Sequence, residues 1–386
     1  MTTRSDVLEP FAAGLLRTDS ALYGLPHPKL AKILNVPEIL EAVIGARGLH
    51  VLQELFKDLT QTKSRLVQEG CAVFPELREL RVLCENPKIL DFAHLELFLA
   101  PVRFWSNGGR LFEVDDELDT LLALTDIGDS APMAYFQLPF PVTYFLFGAH
   151  GGGLKLTVSR GGESLILGAY VTELKGSADS GEFAAYAAWA GPKGEITCYD
   201  ITFISRPVRF AADLGHAFIR LYVAPEMREL TVAEVLALNF KISDERETMG
   251  ANLETREQLR AGIAHLTKVL LHLNTEGAVQ RVMNEEAELV QRLKGVKAKK
   301  HDKLQRRLER TYDRIVITHQ RRPEQDSAST HSRSPRAHWR RGHFRHQSFG
   351  PGRTQSKLRW IQPMLIGQLA EREPESRDYA VKLPRG

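Results

Sequence analysis

The sequence predicts an α+β protein with a helical N-terminal region, a central antiparallel sheet, and a basic helix followed by a C-terminal β-hairpin. Three observations carry this. Apolar residues recur at helical spacing within residues 1–128 and again from residue 246. Between residues 129 and 245 the pattern changes to alternation interrupted by glycine turns. Positive charge also gathers late: residues 291–360 hold 20 Lys and Arg against 5 Asp and Glu, so the other 316 residues carry −12 in a chain whose formal charge is +3.

The elements follow in order. Leu52, Leu55, Phe56, Leu59 and Leu66 keep helical spacing from Val51, with Gly70 as a stop signal. After Pro75, a second stripe runs through Leu77, Leu80, Leu83 and Cys84 to Asn86-Pro87. ILDFAHLELFLAP (89–101) reads as a third, buried segment. SNGGR (106–110), between Phe-Trp and Leu-Phe pairs, reads as a hairpin turn.

From about residue 129 the strands begin. PVTYFLF (141–147) is a short apolar run. In LKLTVSR (154–160), Leu154, Leu156 and Val158 alternate with Lys155, Thr157 and Ser159. Gly161-Gly162 turns that strand into ESLILGAYVTEL, and GEITCYDITFISRPV (194–208) alternates again. AADLGHAFIRLYV reads as a helix leading into a strand. The third region, 246–386, opens with Leu253, Leu259, Ile263, Leu266, Leu270 and Leu273 at helical intervals. A second helix is expected over 278 to about 311, turning basic toward its end. Residues 321–337 have linker composition, and PGRTQS joins two strand-like runs into a hairpin. The hairpin region is expected to pack on the β-rich domain.

Composition limits the classes. At 43% hydrophobic residues the chain can bury a core. Cys71, Cys84 and Cys198 lack metal-type spacing and are too few for a disulfide scaffold. The longest apolar run, LPFPVTYFLFG (138–148), is far shorter than the ~20 residues of a membrane helix. No signal-peptide pattern opens the chain, so a soluble, cytoplasmic protein without membrane contact is expected.

The functional signal is concentrated in HWRRGHFRHQSFGPG (338–352), which holds three histidines, three arginines and three aromatic residues with no acid. Arginines fork onto phosphates and aromatic rings stack on bases, so this stretch suits RNA or single-stranded DNA. The contact residues expected are Arg340, Arg341, Arg345, Arg353 and Trp339, joined by Lys297, Lys299 and Lys300 of the basic helix. A half-buried hairpin with one polar face accounts for the same pattern. His343 and His346 also supply the acid and base that a metal-independent ribonuclease needs. Whether the chain is an enzyme is therefore left open, as is a basic hairpin that docks on an acidic protein partner. Arginines crowd the histidines and would repel a cation, so neither a metal nor another cofactor is expected.

Other motifs point to structure. GAHGGG (148–153) lacks the Lys-Ser/Thr of a phosphate loop. In EVDDELD (113–119), Asp115, Asp116 and Asp119 suit the first turn of a helix better than a magnesium cage.

Four segments together resemble a group of bacterial and phage or plasmid proteins: LPFPVTYFLFG, LGAYV, KVLLHLNTEGA and SPRAHWRRGHFRHQSFGPGRTQSKLRWIQPMLIG. The last is the most specific, with its RRGHxR core, a glycine and a Trp-containing strand. The resemblance implies a bacterial or mobile-element setting and one folded unit from the β region through the hairpin. It implies no catalytic residues.

Overall fold

The computed structural model describes residues 25–60, 62–85, 92–126, 131–147, 154–158, 162–177, 183, 194–207, 215–245, 253–275, 278–319 and 338–366. Helices come first among them: α1 (His27–Ile33), α2 (Val36–Phe56), α3 (Lys63–Val73), α4 (Arg78–Glu85) and α5 (Phe92–Ser106). Pro28 and Pro37 stand in the first turns of α1 and α2, where a missing N–H leaves no bond unmade.

An eight-stranded sheet follows, in the order β7-β6-β5-β3-β1-β9-β8, with β4 paired to β5. Its strands are β1 (Arg110–Val114), β3 (Val142–Leu146), β4 (Leu154–Val158), β5 (Gly162–Ser177), β6 (Glu195–Pro207), β7 (Gly215–Val223), β8 (Ala278–Met283) and β9 (Arg314–His319). Between them lie α6 (Asp116–Ala123), the short β2 (Thr125–Asp126), α7 (Val232–Glu245), α8 (Leu253–Leu273), α9 (Glu285–Leu293) and α10 (Ala298–Glu309). Four strands close the described chain: β10 (His338–Arg340), β11 (Gly342–Phe349), β12 (Gln355–Ile361) and β13 (Met364–Ile366). The linker expected at 321–337 and the GAHGGG stretch lie outside the described residues.

The α+β class with a central sheet is the architecture found. The sheet is mixed, however. The β4–β7 arm and the β8–β9 pair are antiparallel, whereas β1 runs parallel to both β3 and β9. The sheet also draws strands from all three regions delimited by sequence. Two local readings change accordingly. SNGGR joins a helix to a strand instead of closing a hairpin: Asn107 Nδ2 donates to the carbonyls of Arg103 and Phe56, both at 2.8 Å, and so finishes α5. Residues 278–283, expected to start a helix, form β8 because β9 supplies an antiparallel partner from Ala278↔His319 to Met283↔Arg314.

Strand β3 explains the layering. Every one of its residues is buried, so it is covered on both faces. Val142, Tyr144 and Leu146 enter a core with Leu40, Leu52, Leu66, Leu80 and Phe98 of the N-terminal helices. Phe145 on the opposite face enters a second core with Leu118, Val235, Leu266 and Leu270 of α6, α7 and α8. Burying an apolar side chain of this size stabilises by roughly 1.5–3 kcal/mol, so the alternation along one strand holds two helical layers.

Polar groups pin the layers. Lys63 of α3 and Arg103 of α5 face Asp200 of β6 at 3.9 and 4.0 Å, all inside the protein, and Lys63 Nζ also donates to Thr202 Oγ1 at 3.1 Å. Burial pushes the Asp200 carboxyl up, but Lys63, Arg103 and Arg220 together hold it below the usual carboxylate range. On the other face, His265 Nε2 and Asp119 Oδ1 meet at 2.7 Å in full burial and join α8 to α6. Asp115 caps α6 by accepting from the N–H groups of Glu117 and Leu118, as acids in a first turn do. Asp115 and Asp119 of the EVDDELD segment thus have structural partners.

Candidate nucleic-acid interface

The C-terminal hairpin is built from β11 and β12, which pair antiparallel from His343↔Ile361 to Phe349↔Gln355. Its apolar side is set by Phe344 and Trp360, which stack at 6.1 Å between ring centroids and pack against the α6–α8 core. The Trp360 indole is the anchor. Its Nε1 donates to Thr125 Oγ1 at 3.1 Å, and the ring meets His272 and His319 edge-on at 4.9 and 6.3 Å. His272 Nε2 donates to the Thr318 carbonyl. Burial lowers the His272 pKa to about 4, so it is a neutral strut at pH 7.

Alternation then sends His343, Arg345 and Gln347 to the opposite face, together with Lys357 and Arg359. Arg345 lies directly across from Arg359. Like charges in that position repel, so this pair costs stability in the isolated protein. Arg359 donates to Gln347 Oε1 at 2.8 Å, and the Lys357 ammonium sits 5.1 Å from the centre of the Phe349 ring.

Ahead of this hairpin, β10 pairs with β13, Trp339 opposite Leu365 and Arg340 opposite Met364. Gly342 then runs parallel to Thr125. A Cβ at Gly342 would lie 2.5 Å from Thr125 Oγ1 and 2.7 Å from Pro363 Cδ, so the glycine permits this close approach. It places Arg340 and Arg341 on the rim of a cleft of about 570 Å³, whose other lining residues are Ala123, Leu124, Thr125, Asp126, Lys268 and Pro363. Arg353, with left-handed φ of 54°, is exposed in the turn.

The basic helix forms a second cationic surface. Helices α9 and α10 make a helical arm whose polar ties lie at its base. Asp313 accepts from the N–H groups of Glu286 and Ala287, Arg314 pairs with Glu285, and Glu286 pairs with Lys29 and Lys32 of α1. Lys297, Lys300, Lys303, Arg306 and Arg307 are exposed along α10. Residue 299 lies in the same helix.

The structure therefore places the expected contact residues in two groups. The arm is rooted beside Arg314 and the hairpin beside His319, at opposite ends of β9 and roughly 17 Å apart at ~3.3 Å per residue. Positions 343 and 346 alternate to opposite faces of β11, position 346 paired in register with Leu358. Lys268 was not foreseen as part of this surface. It sits on α8, far in sequence from the arginines, and its helical register carries no local sign of them. Among the described residues, no group of three or more His, Cys, Asp or Glu side chains gathers as metal ligands would. None of their helices is long and apolar enough to cross a membrane.

A separate concavity of about 480 Å³ lies between α1, α5 and the β8 edge, lined in part by Trp105, Phe140, Tyr312, Arg110 and Val282. Phe140 and Val282 are both exposed, and β8 ends the sheet among the described strands.

No curated protein and no solved structure matches the chain. One family model does match, described as the anti-CRISPR type V subtype A2 family, over residues 112–368. That span runs from β1 to just beyond β13 and includes the sheet centre, the helical arm, the cationic cleft and the whole hairpin. The mobile-element setting implied by the four segments together agrees with it. With more than half of its length matched, the chain belongs to the AcrVA2-like family of anti-CRISPR proteins.

Proposed function

We propose that this chain counters type V CRISPR immunity by docking on RNA or single-stranded DNA through its arginine hairpin, with the helical arm as a second cationic contact. One observation carries the reading: Arg345 and Arg359 stand opposite each other on the solvent face of the hairpin, a repulsion that a bound phosphate would relieve. The exposed cations of α10 and the exposed Arg340, Arg341 and Arg353 extend the same chemistry. Guide-directed immunity depends on RNA and on displaced single strands, which supply a polyanion at each step. The test is a fluorescence-anisotropy titration of a single-stranded RNA and a matching DNA over a salt series. Each phosphate contact removed, as in Arg345→Ala or Arg359→Ala, should flatten the salt slope by roughly 0.7 to 1. Absence of binding at low salt for both oligonucleotides would end this reading.

A second reading, docking on a protein, is supported by the aromatic concavity beside the open β8 edge. Exposed Phe140 and Val282 there offer apolar area next to the strand that ends the sheet among the described residues. Nuclease-treated co-purification with a type V effector, lost on Phe140→Asp with the fold intact, is the outcome it expects.

A further inference from the structure

The cleft behind Arg340 and Arg341 differs from the open hairpin face. It is concave, and its cations come from two separate parts of the sequence: Lys268 from α8, and Arg340 and Arg341 from β10 and the junction that follows. One carboxylate, Asp126, stands on the wall, so the lining carries three positive charges and one negative. Lys268 is half-buried; desolvation lowers its pKa, with Asp126 and Asp119 opposing that shift. Three cations and one carboxylate lining one concave site leave it with a net positive charge, which attracts an anion.

The shape selects which anion. An internal phosphodiester carries one negative charge, offers two free oxygens, and needs its chain to leave on both sides. A terminal phosphomonoester carries nearly two charges at neutral pH, offers three oxygens, and has chain on one side only. Three cations around a concave site suit the second: two guanidinium forks on the rim, and an ammonium on α8 as a point charge. The remaining walls are Ala123, Leu124 and Pro363, and Leu124 is half-exposed. They form an apolar shelf against which the first nucleoside can rest. Gly342 and Pro363 hold the rim close to Thr125, so the arginines are carried on a fixed strand junction.

We propose that this cleft binds the terminal phosphate of a nucleic-acid strand through Lys268, Arg340 and Arg341, so that the chain prefers phosphorylated strand ends to the interior of a strand. This deepens the proposed function and rests on it.

The experiment uses the full chain and three versions of one short single-stranded RNA: both ends hydroxyl, a 5′-phosphate, or a 3′-phosphate. Affinities are measured by competition against a labelled strand at a single salt concentration. One phosphorylated version should bind at least about tenfold more tightly than the dihydroxyl strand, and its identity tells which end is read. That preference should vanish in Lys268→Met and in Arg340→Gln, the latter an exposed position whose change leaves folding intact, and persist in Lys297→Ala. If all three strands bind equally, terminal recognition is refuted while polyanion docking stands. If no strand binds, the docking reading fails first and this inference falls with it. A preference that survives both Lys268→Met and Arg340→Gln would also refute the assignment to this cleft.

Discussion

The helical arm and the C-terminal hairpin are both rich in lysine and arginine, yet they are fastened to the body in opposite ways. The hairpin is pinned by a buried indole among two histidines and a threonine, so its cations have defined positions. The arm is tied at its base by Glu285, Glu286 and Asp313, and its charged residues point into solvent along α10. Charge alone gives attraction without geometry, and the arm supplies that. Recognition of a particular phosphate requires donors held in place, which the anchored hairpin provides. The two surfaces flank β9, so a strand that touches both must reach along the length of that β-strand.

The strongest way to break this comparison is to remove the anchor. Trp360→Ala should cost roughly 3–5 kcal/mol in urea unfolding and abolish the preference for phosphorylated ends, while weaker, salt-sensitive binding through the arm survives. Equal loss of both kinds of binding would show that the surfaces are not independent.

Acid should loosen the same anchor. His272 has a pKa of about 4 in the folded protein against about 6.5 unfolded, so the unfolded chain takes up the proton first. Its contribution is intact above pH 6.5 and is lost as pH falls toward 4, roughly 3 kcal/mol in all. Comparison of the stability–pH curves of the wild type and His272→Asn isolates it; parallel curves over that range would remove the histidine from the account.

At the arm the effects shrink. Asp313→Ala deletes the acceptor for two N–H groups at the start of α9 and should cost about 1 kcal/mol, with the cleft's preference for phosphorylated ends unchanged. Smallest in stability is Lys297→Ala with Lys300→Ala, expected within about 0.5 kcal/mol of wild type because both residues are exposed, yet flattening the salt slope of binding. A marked loss of stability in that pair would mean the arm packs where solvent is now seen.

Much of this plan is readable from local pattern. PVTYFLF is apolar at almost every position, and a strand buried on both faces needs that. The alternation of RGHFRHQSF against QSKLRWI gives the hairpin and its two faces correctly. What escaped depends on partners remote in the chain. RLFEV of β1 reads as one arm of a local hairpin with the residues before Asn-Gly-Gly, but those residues end a helix and its strand partners are β3 and β9, remote in the chain. AVQRVM of β8 follows a long helix and reads as more of the same until β9 pairs with it. Counting charge along residues 291–360 likewise merges two surfaces that β9 keeps apart. Lys268 meets Arg340 and Arg341 only through tertiary packing, so no window of sequence could have joined them.

The place of β1 has a consequence for how the molecule is made. It is made before the other described strands of its sheet, but its second neighbour, residues 315–317 of β9, is the last of them to be synthesised. Throughout that interval the middle of the future sheet has one bare edge, open to chaperones or to pairing with another nascent chain. Completion of the sheet thus waits on the last-made of its described strands.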